Sequence, residues 1–536
     1  MNKMKTTFFR FVFVAWLVSL SATSFAQSAA PAKVISSAQI DELVERTLKT
    51  FNVPGISVAV VKDDQVVHSR GYGVRSLQSN LPMTAETLVG IASNSKAFTA
   101  AALAILVDEK KLRWNTRVTS VIPEFKLYNP YVTDEFTVMD LMTHRSGLGL
   151  GAGDLMFFPD GSDFTIQDVI HNLRYLKQVS SFRSKYDYDN NLYIVAGEVI
   201  KRISGLSWEE FIEQKIMRPL NMNASAASIT RLKNSENMVH PHVPVNGKLQ
   251  VVPFRPNEII NAAGGIFSNV VDMSKWMRMQ LKHGAYPAAE QGKELRLFSE
   301  RVQHEMWSPQ TILQTGTNTG SYNTHFSSYG IGWFVTDVRG YKQVMHTGGL
   351  LGMVTQVTLI PEIGLGIVVL TNQESGAAFT SITNTIKDSY LGMPAIDRVK
   401  ENHERLVKRN AENDAVVAEV WKAIDAQQKT NAKPPIELSQ FVGKYKDAWF
   451  GEIEISLQKN RLWFASKRSP ALTGEMQFYK GTSFVVKWTD RTLNADAFVN
   501  FSLDNEGKPQ AISMKAVSPA TDFSFDFHDL DLKRIQ

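Results

Sequence analysis

LVGIASNSKAFTAAALAILV, residues 88–107, is the stretch on which the reading of the fold turns. Its first half is a short apolar run ending at Ser93-Asn94-Ser95-Lys96; its second half, Ala97 to Val107, is Ala-rich and apolar on all sides. That composition predicts a buried helix, with Ser93 at or just before its start. S-x-x-K spacing puts serine and lysine one helical turn apart on the same face. A serine hydroxyl is a poor nucleophile until a neighbour accepts its proton, and a lysine of lowered pKa can do so. Backbone N–H groups at a helix start also point toward developing negative charge. The motif is short, however. Ser456-Leu457-Gln458-Lys459 fits it as well, and a helix cap followed by a surface lysine is the ordinary alternative at Ser93.

Upstream, Ser36-Ser37-Ala38-Gln39 makes a capping box before Ile40, Leu43, Val44, Leu48 and Phe51 at helical spacing. Pro54-Gly55 ends that helix. Ile56–Val61 and Gln65–Tyr72 then read as a hairpin across Lys62-Asp63-Asp64. Downstream, Thr137 to about Gln280 is mostly helix and loop, with a second capping box at Ser207-Trp208-Glu209-Glu210. The pattern switches to strands at Tyr329–Val335, Gln343–Met345, Met353–Ile360 and Leu365–Leu370, the last two joined by a turn at Pro361-Glu362-Ile363-Gly364. Strands at both ends with helices between predict an α/β (α+β) domain: one antiparallel sheet flanked by helices, plus a helical subdomain. Residues 395–434 are polar and helix-prone, end in Pro434-Pro435, and read as a linker. From 435 to 536 the texture is all β, short alternating runs broken by Asn505-Glu506-Gly507 and Ser518-Pro519, which predicts a sandwich or small barrel. Few contacts are expected to cross the linker, so a chain cut near Pro435 is expected to keep a folded first domain.

A chain of 536 residues exceeds what one core usually serves, in line with two domains. Lys3, Lys5 and Arg10 precede the apolar run Phe11–Leu20 and the small-x-small site Ser24-Phe25-Ala26, which reads as a signal peptide, residues 1–26. A retained anchor is the alternative, but the run is short of the roughly 20 residues needed to span. The expected location is the periplasm. Three of the five net positive charges lie in this leader, leaving about +2 for residues 27–536, and the densest charged run, Lys400–Arg409, mixes both signs. No basic stripe for nucleic acid results. With no cysteine, thiol nucleophiles and iron–sulfur sites are excluded. No metal is implied: H-E-x-x-H is absent, and His240-Pro241-His242 reads as a surface loop. Neither a phosphate-binding glycine loop nor G-x-S-x-G occurs, and no cofactor is implied.

Two further motifs follow Ser93 in the chain. Tyr188-Asp189-Asn190 precedes the apolar helix Leu192–Ile203; tyrosine can relay a proton, and asparagine can donate to an amide carbonyl. A helix N-cap beside a packed aromatic is the bland alternative. His346-Thr347-Gly348-Gly349 follows a strand and offers two glycines where a backbone needs to approach a ligand, or an ordinary turn. Each signal is weak alone. Ser-x-x-Lys, Tyr-x-Asn and [Lys/His]-Thr-Gly in this order resemble the signature of the penicillin-recognising serine enzymes. The chain is similar to the class C β-lactamase, D-Ala-D-Ala carboxypeptidase and esterase superfamily over roughly Ile40 to Met393. Leu141-Met142-Thr143-His144-Arg145-Ser146-Gly147-Leu148 and Ala263-Gly264-Gly265-Ile266-Phe267-Ser268 add to the likeness. The end of the chain, Lys515-Ala516-Val517-Ser518-Pro519 and Thr521 to Phe527, resembles the lipocalin-like domain appended to many such proteins.

The resemblance implies a serine hydrolase domain over 27–394 with its site between sheet and helical subdomain. Ser93 is then the nucleophile, Lys96 and Tyr188 share the proton work, and the N–H groups of Ser93 and Gly349 form the oxyanion hole. Asn190 would hold the substrate amide, with His346, Thr347 and Gly348 at the substrate's far end, often a carboxylate. Here histidine stands where class C β-lactamases carry lysine. A free histidine is only about a quarter charged at pH 7, so its pull on a carboxylate is weaker. The expected function is a peptidase or amidase on small peptides, D-residue-containing ones among the candidates. Alternatives are a broad esterase, a true β-lactamase, and a slowly turning-over penicillin-binding or sensing protein. Oligomeric state is not legible.

Overall fold

The computed structural model describes residues 34–255, 257–287, 293–316 and 320–535. The expected leader, residues 1–26, lies outside them. Helix α1 (Ser37–Phe51) starts at the expected box: Gln39 N–H donates to Ser36 Oγ at 3.3 Å and Ser36 N–H to Gln39 Oε1 at 2.9 Å. It ends where Asn52 turns left-handed, φ 52°. The hairpin follows as β1 (Gly55–Lys62) and β2 (Gln65–Gly73). The other end of the domain supplies β3 (Thr311–Leu313), β4 (Ser327–Tyr329), β5 (Phe334–Val338), β6 (Tyr341–Leu350), β7 (Met353–Ile360) and β8 (Leu365–Thr371). They form one antiparallel sheet in the order β2-β1-β8-β7-β6-β5-β4-β3, so first and last segments pair one strand in from its edge, Val58 opposite Val369.

Both faces of that pair are covered, which is why Ile56–Val61 is apolar without alternation. Ile56, Val58 and Val60 pack with α1 and α5 (Gly376–Tyr390), through Leu48, Phe51, Ile382 and Ile386. Ala59 and Val61 face the opposite core, into which the helical subdomain packs. There α2 (Ser95–Asp108) is buried almost throughout and stacks Phe98 on Trp276 of α4 (Val270–Leu281), centroids 3.8 Å apart; α3 (Asn190–Ser204) lies beside it. Among the described residues no helix is long and apolar enough to cross a membrane.

Two strand boundaries differ from expectation. The apolar run Tyr329–Val335 is not one strand: it breaks at Gly332, whose φ is 78° and where a Cβ would meet Ala100 Cβ at 2.8 Å. The chain must turn there to clear α2. His346–Gly349 is not a turn but the continuation of β6. His242, expected on a surface loop, starts a short strand (His242–Val245) and is buried, Nδ1 donating to Asn372 O and Nε2 accepting from Leu77 N–H.

Residues 443–534 form a closed barrel of eight antiparallel strands, β9 (Gly443–Asp447), β10 (Gly451–Gln458), β11 (Arg461–Ser466), β12 (Thr473–Lys480), β13 (Ser483–Trp488), β14 (Ala497–Leu503), β15 (Pro509–Ala516) and β16 (Leu532–Arg534), the last closing on the first. Alternate residues point inward and fill it with rings; Phe441 and Phe501 lie 4.7 Å apart, Phe464 and Trp488 5.4 Å. The polar stretch before it is a single helix of 32 residues, α6 (Arg398–Lys429). Its ends are seated. Arg398 pairs with Asp388 in a buried contact at 2.7 Å, Val399 joins the α1–α5 core, and Val420 and Ile424 pack on Val485 and Val517 of the barrel. What reads as a linker is a rigid strut about 48 Å long at 1.5 Å per residue.

Many contacts cross between domain and barrel, against the expectation of few. Phe158 meets Phe525 edge-on at 4.9 Å, Phe164 stacks on Phe450, Asn172 donates to Trp449 O at 2.9 Å, and Arg468 bridges Asp163 and Asp168. Phe157, Phe164, Phe450 and Phe525 belong to one continuous buried core. Each such ring is worth on the order of 1.5–3 kcal/mol when buried. A chain ending at residue 434 is therefore expected to melt on the order of 10 °C below the full chain, or to precipitate, in side-by-side calorimetry. Equal melting temperatures would show that the contacts are superficial.

Candidate active site

The turn that carries Ser93 is strained. Ala92–Asn94 form one 3-10 turn before α2, and Ala92 has φ 51°, a left-handed conformation unfavourable for a residue with a Cβ. It leaves Ser93 facing a cavity of about 560 Å³ and carries Lys96 one turn further in. β6 forms the opposite wall. Its pairing with β5 stops at Phe334–Met345, while pairing with β7 runs on to Leu350–Met353. His346 to Leu350 thus leave one edge open toward the cleft, and peptide groups alternate between edges. Gly348 seats this strand on the turn: a Cβ there would lie 2.3 Å from Ile91 O and 2.9 Å from Ala92 Cβ. It is buried, and Gly349 and Thr347, not Gly348, line the cavity. The expected substrate contact at Gly348 is corrected to a packing position.

Tyr188 and Asn190 arrive at the start of α3, tied down by the Thr143–Leu148 stretch. Ser146 Oγ donates to Asp189 Oδ2 at 2.5 Å, and Asp189 N–H donates to His144 Nδ1 at 3.0 Å. His144 lies under Tyr188, ring centroids 4.2 Å apart.

Lys96 is completely buried. Its Nζ reaches Asn190 Oδ1 at 2.6 Å, Ala263 O at 3.0 Å and Ser93 Oγ at 3.1 Å. The two carbonyl oxygens can only accept, so a neutral amine spends both hydrogens on them and turns its lone pair to Ser93. Burial pulls the lysine down to about 7, against a smaller opposing pull from Asp154. Burial raises the Tyr188 hydroxyl far above an ordinary phenol, against a smaller opposing pull from Ser93, so it stays protonated. Lys96 Nζ lies 4.8 Å from the centre of its ring.

His346 is also buried, and burial together with Lys96 pushes it down to about 3. Its Nδ1 donates to Thr347 O at 2.6 Å, so Nε2 accepts the hydroxyl of Tyr329 at 3.0 Å. The imidazole is neutral throughout the physiological range, not a quarter charged, and neither nitrogen is free to greet a carboxylate.

Three groups at the site carry no sequence motif. Asp154 is buried behind Asn190, accepting its Nδ2–H at 2.7 Å. Glu374 lines the cleft, and burial raises it to about 7. Asp522, also raised by its enclosure, comes from the barrel with Phe523 and Ser524. Glu374, between Gln373 and Ser375, carries no local signal, and the only one at Asp522 is the apolar Phe523 beside it. Among the described lining residues there is no lysine or arginine, and no cluster fit for a metal ion occurs among the described residues.

A serine and a buried lysine between an antiparallel sheet and a helical subdomain define a serine hydrolase of the penicillin-recognising superfamily. The chain belongs to the Beta-lactamase family, which matches residues 40–390; residues 427–534 match a domain of unknown function, DUF3471. An unguisins hydrolase of Aspergillus campestris is 27% identical over 489 residues, 88% of each chain. Protein flp of Staphylococcus aureus is 24% identical over 63% of this chain and 64% of its own. In fold, the octameric penicillin-binding protein homologue of Pyrococcus abyssi matches 90% of this chain and 98% of its own at TM-score 0.59 and 21% identity. A class C β-lactamase matches 67% and 96% at TM-score 0.53 and 19% identity.

Gly348→Ala tests the seating of β6 on the Ser93 turn. Overpacking costs typically about 1–3 kcal/mol, so the urea midpoint should fall and turnover with it. An unchanged midpoint would mean that the strand is free to withdraw.

Proposed function

We propose that this serine hydrolase is a peptidase or amidase on small peptides, working through an acyl-enzyme on Ser93. The observation that carries the reading is Lys96, buried and near its balance point at neutral pH, with its third direction open only to Ser93 Oγ. Neutral Lys96 takes the Ser93 proton as Oγ bonds to the carbonyl carbon. The N–H groups of Ser93 and Gly349 hold the oxyanion, each such donor worth roughly 3 kcal/mol. Tyr188, protonated, passes a proton to the leaving amine as the C–N bond breaks and is resupplied through Lys96. Water, deprotonated by the same base, then attacks the ester and frees Ser93 and the acid. Asn190 keeps a second Nδ2 hydrogen for the substrate amide carbonyl, and Thr347 offers its hydroxyl from the cleft wall.

The cleft's charge favours neutral or amine-bearing substrates over carboxylates, since Glu374 and Asp522 face it without a cation and His346 is neutral. This weighs against a true β-lactamase. An apolar recess of about 60 Å³, sharing Ile260 and Leu350 with the cleft and lined by Phe254 and Phe267, suits one apolar side chain. The same machinery opens esters more easily than amides, so an esterase is the second reading. A hydrolase among the relatives supports turnover over a trapped acyl-enzyme. We place the mature protein in the periplasm on the pattern of residues 1–26; it should begin at Gln27 when its N-terminus is sequenced from that fraction.

Ser93→Ala should abolish turnover and labelling by a fluorophosphonate, while Ser456→Ala does neither. Glu374→Gln should lower kcat/KM for a peptide with a free amine about tenfold, or 1.4 kcal/mol, and leave a neutral ester unchanged. Residual activity in the Ser93 variant would end the acyl-enzyme reading.

The base must be neutral, so kcat/KM should fall about tenfold per pH unit below pH 7, where Lys96 gains its proton. His346 stays neutral down to about 3. From pH 7 to 5 a penicillin should therefore gain on a neutral ester only as Glu374 takes up its proton, and Glu374→Gln should reduce that gain; an undiminished gain in that variant would restore a charge on His346.

A further inference from the structure

Asp154 is the buried end of a chain of side chains that begins at the nucleophile. Lys96 touches Ser93, Asn190 Oδ1 accepts from Lys96, and Asn190 Nδ2 donates to Asp154 Oδ2. That same oxygen accepts a second bond, at 2.8 Å, from Ser524 Oγ, a residue of the barrel 370 positions away. The other oxygen, Oδ1, is buried without a partner among the described residues. Two residues beyond Ser524, Asp526 accepts from the N–H groups of Gly153 at 2.6 Å and Leu155 at 3.0 Å, gripping the backbone on either side of Asp154. Gly153 must be glycine for this turn, with φ 77°.

We propose that the barrel is a working part of the active site: Ser524, steadied by the Asp526 clamp, is a positioning residue that fixes Asp154 and, through Asn190, sets the placement and protonation of Lys96. This rests on the reading of Lys96 as the base for Ser93. Asn190 could offer Lys96 either its oxygen or its nitrogen; the Asp154 carboxylate decides, because it accepts only from the amide nitrogen. Burial raises Asp154 to about 8, while both bonds on Oδ2 and the neighbouring Lys96 oppose that rise; in its ionised form Asp154 in turn favours protonated Lys96. Without the Ser524 hydroxyl, Asp154 takes a proton more readily, and Lys96 loses one more readily.

The other groups facing this pair leave the sign unchanged. Lys96 faces His144 and His346, both held neutral by burial, and Tyr188 and Tyr193, both held protonated. Asp154 faces Asp189 and Asp526, whose own bonds do not involve Ser524, and Asp522, whose side chain does. That last contact is the competing route and needs its own control.

The test is the pH profile of kcat/KM on a neutral p-nitrophenyl ester, using the full chain. Ser524→Ala should move the acid limb to lower pH, on the order of half a unit, and cut the plateau kcat about tenfold with KM little changed. Ser524→Thr, which keeps the hydroxyl, should restore both. Asp154→Asn should move the limb in the same direction, and adding Ser524→Ala to it should move it no further. A limb that stays in place in Ser524→Ala overturns the proposal, as does an equal further shift in the Asp154→Asn background, which would route the effect through Asp522. Turnover surviving in Ser93→Ala overturns the acyl-enzyme reading and this inference with it; a stationary limb with Ser93 essential removes this inference alone.

Discussion

The structure around the cleft is organised by the burial of one amine. A lysine removed from water loses hydration worth several kcal/mol in its charged form, so it must find acceptors or give up its proton. Lys96 does some of each. Asn190 Oδ1 and Ala263 O satisfy two hydrogens in either state, and Ser93 Oγ takes the third or gives one back. Those acceptors must then be held still, and much of the local sequence does that. Thr99 donates to Ala262 O at 2.6 Å, and Ile266 N–H to Ser95 Oγ at 3.1 Å, binding the Ala263 turn to α2. Gly265 is needed there because a Cβ would fall 2.2 Å from Asn261 Oδ1.

The same constraint explains why the barrel is docked and not merely tethered. On the proposed linkage Asp154 has to be dry to influence Lys96, and it is fully buried. Phe523, Ser524 and Phe525 cover it, with Phe523 edge-on to Tyr188 at 5.7 Å. A rigid α6 and the shared aromatic core keep the cover in register, which a flexible connection would not do. The apolar filling of the barrel leaves its closing segment, not its interior, as the part that faces chemistry.

Much of this was legible in the sequence where the signal is local. The α1 capping box, the hairpin and the buried α2 follow from spacing within a few residues, and the order of three motifs locates the cleft. S-x-x-K alone does not: Ser456 lies on barrel strand β10 and Lys459 in a turn with φ 48°, so identical spacing there has no helix to align it. Asp154 was illegible because its partners, Asn190 and Ser524, lie 36 and 370 positions away. The glycines after His346 left two readings open, a close approach of backbone to a ligand or an ordinary turn; here Gly348 admits the Ser93 turn against a continuing strand. The α6 segment lacks an apolar stripe because only its ends are covered, so its composition resembles a linker while its backbone is one helix.

Histidine at position 346 was read from sequence as a weak cation, and its seating gives it a different meaning. A second cation so close to Lys96 and equally buried would repel it and push the lysine's proton off at still lower pH. Neutral His346, fixed by Tyr329 and Thr347, leaves Lys96 poised near neutrality. The same neutrality removes the site's attraction for carboxylates. Nothing else in the described lining replaces that charge, and Glu374 and Asp522 reverse its sign. The charge the cleft presents to a substrate is thus set jointly by one strand of the sheet, the segment after β8 and the closing segment of the barrel. Only the first of these lies within the motifs that name the family.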